Sequence, residues 1–294
     1  MIESYLSFCL EGENMKKKII LVDGHNLLFR MFYGIPSSIK NSKGKEIRGL
    51  VGFIGSIKKL VATFDPYSLV VLFDSETSKS NNIILDANYK ANRKDYTNVP
   101  VDENPFSQLP SIKKTLDFLN VVYQEIENNE ADDYIASLIA NHQNGEYEYI
   151  IVSTDADFIQ LIDEKTFLYS LKGKNSILYD VEKIMEKYHI LPKQYVLYKA
   201  LVGDKSDNID GVRGIGKVTA AEIVKYNSIE NYLHASSNAR ITTLLKENET
   251  KIEKNIQLIT LNKNLDTSSI NFSKLKNTIM QYKTYEIIEK IGER

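Results

Sequence analysis

Apolar residues along this chain fall first into short unbroken runs. KIILVD (18–23) and SLVVLFD (68–74) are apolar at consecutive positions, and each ends in an aspartate, Asp23 or Asp74. YEYIIVSTDAD (147–157) repeats the pattern and carries it to Asp155 and Asp157. Runs without polar alternation suit strands at the centre of a parallel sheet, where both faces are covered. Between them, apolar residues recur at helical spacing in GLVGFIGSIKKLVATF (49–64), SIKKTLDFLNV (111–121) and DDYIASLIANHQ (132–143). Strand–helix alternation of this kind predicts a doubly wound α/β sheet. Ligands of such sheets bind beyond the carboxyl ends of the strands, and here all three strands end there in aspartate.

After about residue 180 the strand pattern fades. VEKIMEKYHI is followed by PKQYVLYKALVG, with Pro192 placed near a helix start, and the tail (240–294) alternates amphipathic stretches with polar links. The expected organisation is an α/β domain over 15–180 and a helical subdomain over 181–294, with a hairpin at 203–224. Residues 75–104 are polar, rich in Asn and Lys, and follow no clean period. A connection that long inside a compact domain is usually functional or disordered. Residues 1–14 are acidic and lack a basic signal-peptide region, whereas Met15 leads directly into KKKIILVDG. A disordered extension is expected there. No run of about 18 apolar residues predicts a membrane span.

Composition narrows the chemistry. Cys9 is the only cysteine, which excludes an internal disulfide or a cysteine-built zinc site and suits a reducing cytosol. With four scattered histidines, a metal site would be built mainly from carboxylates, which points to Mg²⁺ or Mn²⁺. The net charge of −2 argues at first against a nucleic-acid partner. Nine acids belong to the motifs below, however; without them 30 acids face 37 bases, a balance of +7 that permits contact with a phosphate backbone.

The acids are Asp23, Asp74, Glu130, Asp132, Asp133, Asp155, Asp157, Asp204 and Asp207. Any one pair is an ordinary polar turn, and EADDY (130–134) alone is also a good helix start, because acids suit the positive end of the helix dipole. Together they crowd one predicted rim, where mutual repulsion calls for cations. Two Mg²⁺ ions about 4 Å apart are a standard solution for phosphodiester hydrolysis. GVRGIGKVTAAEIV (211–224) sets Gly211, Gly214 and Gly216 before a helix, leaving N–H groups free to meet phosphate, with Lys217 and Thr219 adjacent. A tight turn is the plain alternative, but the loop follows GDKSDN directly and so ties a phosphate grip to two of the acids. In YKANRK (89–94), Lys90 and Arg93 would share a helical face and Tyr89 could stack on a base; a solvated basic loop fits equally well. Arg30, among apolar neighbours, is either a phosphate contact or the structural partner of an acid. His25 reads better as a turn contact than as a ligand.

LVDGHNLLFR, Phe73-Asp74, YKANR, EADD, TDADF, GDKSDN and GVRGIGKVTA stand in the order and at the spacings of the bacterial 5′ nuclease and flap endonuclease family, which this chain resembles from about Lys18 to Leu233. The resemblance implies a PIN-like, mostly parallel sheet with a helical arch over 75–104 and a helix–hairpin–helix element in the helical subdomain. It implies that Asp23, Asp74, Glu130 and Asp132 serve a first metal and that Asp155 lies between the sites. Asp157 and Asp204 then serve a second metal, and Asp133 and Asp207 act through water or as supplementary ligands. Lys90 and Arg93 match arch positions that steady the scissile phosphate, Arg30 matches another basic position near it, and the hairpin matches an element that grips duplex backbone, often with K⁺. Where relatives carry Phe-Arg in the arch, this chain reads SNNIIL (80–85), which implies a less basic arch.

The expected activity is that of a Mg²⁺-dependent 5′–3′ exonuclease and flap endonuclease, with Mn²⁺ as a substitute metal, in stand-alone or excised form. It would act as a monomer on branched or nicked DNA and RNA-primed DNA, alongside a DNA polymerase and a ligase and away from membranes. Two other classes fit less well: a non-catalytic binder of branched DNA does not need the full acid set, and a ribonuclease on structured RNA does not need the duplex-gripping hairpin.

Overall fold

The computed structural model describes residues 16–75, 89–90, 94–143, 145–276 and 278–294. The expected disordered extension, Arg93 and most of the expected arch, at 76–88 and 91–93, lie outside the described residues.

The sheet has six strands in the order β3-β2-β1-β4-β5-β6. They are β1 (Lys17–Asp23), β2 (Ser68–Asp74), β3 (Val122–Ile126), β4 (Tyr147–Val152), β5 (Thr166–Ser170) and β6 (Ile177–Tyr179). All pairings are parallel except β5 with β6. The runs with consecutive apolar residues supplied β1, β2 and β4, the strands of the centre. β3 at the edge carries polar and half-buried residues, VYQEI, and so gave no such run. The third predicted strand also stops short: β4 ends at Val152, and Asp155 and Asp157 stand in the turn and 3₁₀ helix (Ala156–Leu161) that follow.

Alternation within each strand divides the core into two. Ile19 and Leu21 of β1, Val70 and Leu72 of β2, and Ile151 of β4 face one side, where α4 (Ala131–Asn141) packs. Ile20, Val22, Leu69, Val71, Phe73 and Ile150 face the other, against α1 (Gly24–Gly34), α2 (Arg48–Phe64) and α3 (Leu109–Leu119). Full burial of such side chains stabilises by about 1.5–3 kcal/mol each. The helical part continues on the first side with α5 (Val181–Tyr188), α6 (Tyr195–Val202) and α7 (Lys217–Val224). It goes on through α8 (Ile229–Ala235), α9 (Ala239–Glu247) and α10 (Glu249–Ile259). The chain then crosses over: α11 (Thr278–Gln281) and α12 (Thr284–Lys290) bury Ile279, Ile287 and Ile288 on the second side. No helix among the described residues is long and apolar enough to cross a membrane.

The strand order reverses between β1 and β4, leaving a crevice beyond their carboxyl ends. Asp23 and Asp155 flank it.

Candidate active site

Each acid is held at the rim by the way its own element begins or ends. Asp23 closes β1 and caps α1, accepting from the Asn26 N–H at 3.1 Å, while Ser153 Oγ donates to its other oxygen at 2.9 Å. Asp74 closes β2, accepts from the Ala131 N–H at 2.7 Å and faces His25 Nδ1 at 3.2 Å. That Ala131 contact docks the start of α4 onto the end of β2. Glu130, at the N-cap of α4, accepts from Lys90 Nζ through both oxygens, at 2.7 and 2.6 Å. Asp132 lies in the first turn of α4 and accepts from the Asp133 N–H at 2.7 Å. Asp155 caps the 3₁₀ helix by accepting from the Asp157 N–H at 2.9 Å, and its own N–H donates to Ser153 Oγ at 3.0 Å. Asp23, Asp74, Glu130, Asp132 and Asp155 thus line one groove of ≈ 1450 Å³, together with Arg30 and Lys90.

A second cluster adjoins it. Asp157, Asp204 and Asp207 bring carboxylate oxygens within 4.8 Å of one another. Asp204 lies on β7 (Gly203–Asp204), which pairs with β8 (Ile209–Asp210), and Asp207 sits in the turn between them. Lys199 of α6 reaches in from behind, touching Asp157 and lying 2.5 Å from Asp204. A cavity of ≈ 450 Å³ opens beside this cluster and is lined by Asp155, Asp204, Asp207 and Lys217. Asp155 lines both cavities.

The electrostatics reflect this crowding. Burial and the nearby Asp74 charge push the Asp23 carboxyl up to about 7. Burial, then Glu130, raises Asp132 well above the usual carboxylate range. Burial and Asp155 push Asp157 up to about 7 even with Lys199 alongside, and burial raises Asp133 to about 6. Asp74 and Asp204 move the other way: burial opposes their charge, but His25 and the Ala131 N–H outweigh it for Asp74, as Lys199 and Ser206 do for Asp204. Burial lowers Lys199, yet its two aspartates prevail and hold the ammonium above its usual range. An all-oxygen donor set whose ionisation is opposed by burial and mutual repulsion, and relieved in part by Lys90, Lys199, His25 and backbone N–H groups, fits a hard divalent cation.

Several residues stand apart from the sequence reading. The Tyr89 ring, read either as a surface that could stack on a base or as part of a solvated loop, is buried in the core at 5 % exposure, with Lys90 Nζ 4.8 Å from its centroid. Its run of polar neighbours concealed that role. Asp133 lines neither cavity; its carboxylate accepts from the Asn262 N–H at 2.7 Å and ties α4 to the tail. Arg30 projects from α1 into the groove. Gly211 follows β8, Gly214 adopts a positive φ of 94°, and Gly216 caps α7, whose exposed Lys217 and half-buried Thr219 stand at its start. Sequence reasoning missed Lys199, Ser153 and Asn26. In YVLYKALV, Lys199 looks like the polar face of a helix, and Ser153 and Asn26 acquire meaning only once β1 and β4 are known to be neighbours. Asn26 Oδ1 then accepts from the Thr154 N–H and hydroxyl, both at 3.0 Å, joining the two strand ends.

Comparison with known proteins places this geometry in context. Family models for the N-terminal resolvase-like domain and the C-terminal SAM fold of 5′-3′ exonucleases match residues 18–189 and 190–283. The thermostable DNA polymerase I of Thermus filiformis is 33% identical over 242 residues, covering 82% of this chain and 28% of that protein. DNA polymerase I of Bacillus subtilis is 33% identical over 224 residues, or 75% of this chain and 24% of that protein. The chain therefore spans about a quarter of the length of these relatives. In fold it is similar to the T5 5′-exonuclease with bound divalent zinc, at TM-score 0.68 and 21% identity over 94% of this chain and 100% of that one. The catalytic core of Rad2 in complex with DNA substrate aligns at TM-score 0.60 and 15% identity, covering 94% of this chain and 92% of that one.

Proposed function

This chain belongs to the 5′-3′ exonuclease family, and from that premise we propose that it is a structure-specific 5′ nuclease, hydrolysing phosphodiester bonds at the 5′ ends and flaps of branched DNA. One observation carries the reading: acids from β1, β2, α4 and the turn after β4 converge on a single groove, and a second acid cluster adjoins it.

Asp23, Asp74, Glu130 and Asp132 form the first metal set and Asp157, Asp204 and Asp207 the second, with Asp155 shared and Asp133 holding the tail in place. Mg²⁺ is the working ion, replaceable by Mn²⁺; divalent ions in such a site acidify the attacking water and neutralise the leaving oxygen. The protein's own part is placement. Arg30, Lys90 and Arg93 meet the scissile phosphate as charged donors, and the buried Tyr89 ring fixes where Lys90 starts. Gly211, Gly214 and Gly216 would offer backbone N–H groups to duplex phosphates, Lys217 and Thr219 would add side-chain contacts, and the hairpin would hold K⁺. The α/β part (15–180) performs the chemistry and the helical part (181–294) holds the duplex. The setting is the cytosol, where a monomer removes RNA primers and trims flaps beside a polymerase and a ligase.

The test is a 5′-end-labelled flap duplex incubated with Mg²⁺ or with EDTA. Cleavage near the junction with Mg²⁺ alone, leaving 5′ phosphates, is the expected outcome. DNA binding without metal-dependent cleavage would overturn the reading, and preferential cleavage of the matching RNA flap would redirect it to ribonuclease chemistry.

A further inference from the structure

Lys199 is a buried cation with no place in the division of metal ligands, yet it stands among them. Its side chain enters the second cluster from α6, where Tyr198, Ala200 and Leu201 are buried and fix the backbone. The ammonium contacts Asp157 and lies 2.5 Å from Asp204, and the residue is only 5 % exposed. Asp157 and Asp207 are buried to a similar degree, at 6 % and 4 % exposure. An ammonium donates three hydrogen bonds and accepts none, so each contact competes with an incoming metal ion for the lone pairs of these carboxylates and adds a repelling charge. Buried carboxylates are tolerated only when paired, and Lys199 is the cation the protein supplies here.

We infer that Lys199 is a built-in counter-cation of the second acid cluster: it stabilises the metal-free fold and weakens binding of the second divalent ion, so that this ion loads only at higher concentration than the carboxylates alone would require. The inference rests on the proposed nuclease site and adds a determinant of its metal affinity. A unit positive charge about 4 Å from a divalent ion weakens binding at least tenfold, roughly, even with full aqueous screening.

The experiment is Mn²⁺ titration of the whole chain, followed by calorimetry and by the fraction of free Mn²⁺, for wild type, Lys199→Met and Lys199→Arg. Methionine keeps the length of the stem and removes the charge; arginine keeps the charge. The expected result is a second Mn²⁺ bound at least about tenfold more tightly by Lys199→Met, with Lys199→Arg close to wild type. The metal-free Met variant should melt lower than wild type and gain more in Tm from Mn²⁺. Unchanged or weaker second-site binding in a folded Met variant would overturn the inference, because a purely structural lysine cannot tighten a metal site on removal. Should Lys199→Met fold only with Mn²⁺, that rescue supports the inference; failure to fold in saturating Mn²⁺ would overturn it. Wild-type protein that takes up no second Mn²⁺ would overturn it as well. Tightening in the variant without any flap cleavage by wild type would leave this inference standing while removing the nuclease reading.

Discussion

Asp155 stands where the two acid clusters meet. It lines both cavities, caps the 3₁₀ helix, and its charge helps to raise Asp23, Asp132 and Asp157. Removing it should therefore relieve repulsion in both clusters while taking away the carboxylate proposed to be shared between the two metal sets. Asp155→Ala is expected to lower Mg²⁺-dependent flap cleavage by at least about 100-fold while DNA affinity stays the same or rises. Single-turnover cleavage and fluorescence anisotropy check the two halves, and parallel loss of binding would count against a catalytic role. Asp23 and Asp74 were legible in the sequence because a carboxylate at the end of an apolar run is both locally visible and chemically telling. The residues that serve them were less so. Ser153 and Lys199 take their roles from partners in distant elements, and no local pattern encodes those contacts.

The short β7–β8 pair decides whether Asp204 and Asp207 meet Asp157. Gly203 has a φ of +86°, and a Cβ there would lie 2.4 Å from the Gly211 nitrogen; a Cβ on Gly211 would lie 2.3 Å from the Val202 carbonyl. Backbone cannot yield as a flexible side chain does, so Gly203→Ala is expected to cost at least about 2 kcal/mol and to loosen the second cluster. Gly216→Ala makes the contrast: among the described residues nothing beyond its chain neighbours lies within 4 Å of its Cβ position, and the change at the cap of α7 should cost less than about 1 kcal/mol. Thermal melts with a Mn²⁺ titration on each variant check this, and equal stability for the two would refute it. Glycine enrichment before α7 was visible in the sequence, but the separate duties of these glycines were not, since conformation and close approach arise only from the folded pairing. The same holds for elements generally. Central strands announced themselves by burial on both faces, whereas β3, β5, β6 and α1 did not.

At the scale of the whole molecule, strand–helix alternation made the α/β class and the acidic rim legible, while the crossing of the tail from one core to the other was not. Leu275 donates its N–H to the Tyr67 carbonyl at 2.7 Å during that crossing, a pairing no periodicity announces. The rim governs how metal-free stability responds to pH. Asp23 and Asp157 are raised to about 7 and Asp133 to about 6, against 3.8 for an ordinary aspartate. Between these values the folded state holds protons that the unfolded chain has released. The stability that these three groups contribute is therefore fully present below about pH 4 and is lost as pH climbs through 6 and 7. Asp74 and Asp204 are shifted downward, so their contribution is lost only as pH falls below about 4, outside that window. Only ionised carboxylates hold a divalent ion, so added Mg²⁺ should reverse the trend by stabilising the deprotonated form. Metal-free protein is expected to melt higher at pH 5.5 than at pH 8 by at least ~5 °C, with the gap closed or inverted in saturating Mg²⁺. Calorimetric melts across that range, with EDTA and with Mg²⁺, make the comparison. A metal-free Tm that is flat or rises with pH would mean that the acids do not press on one another as the folded rim requires.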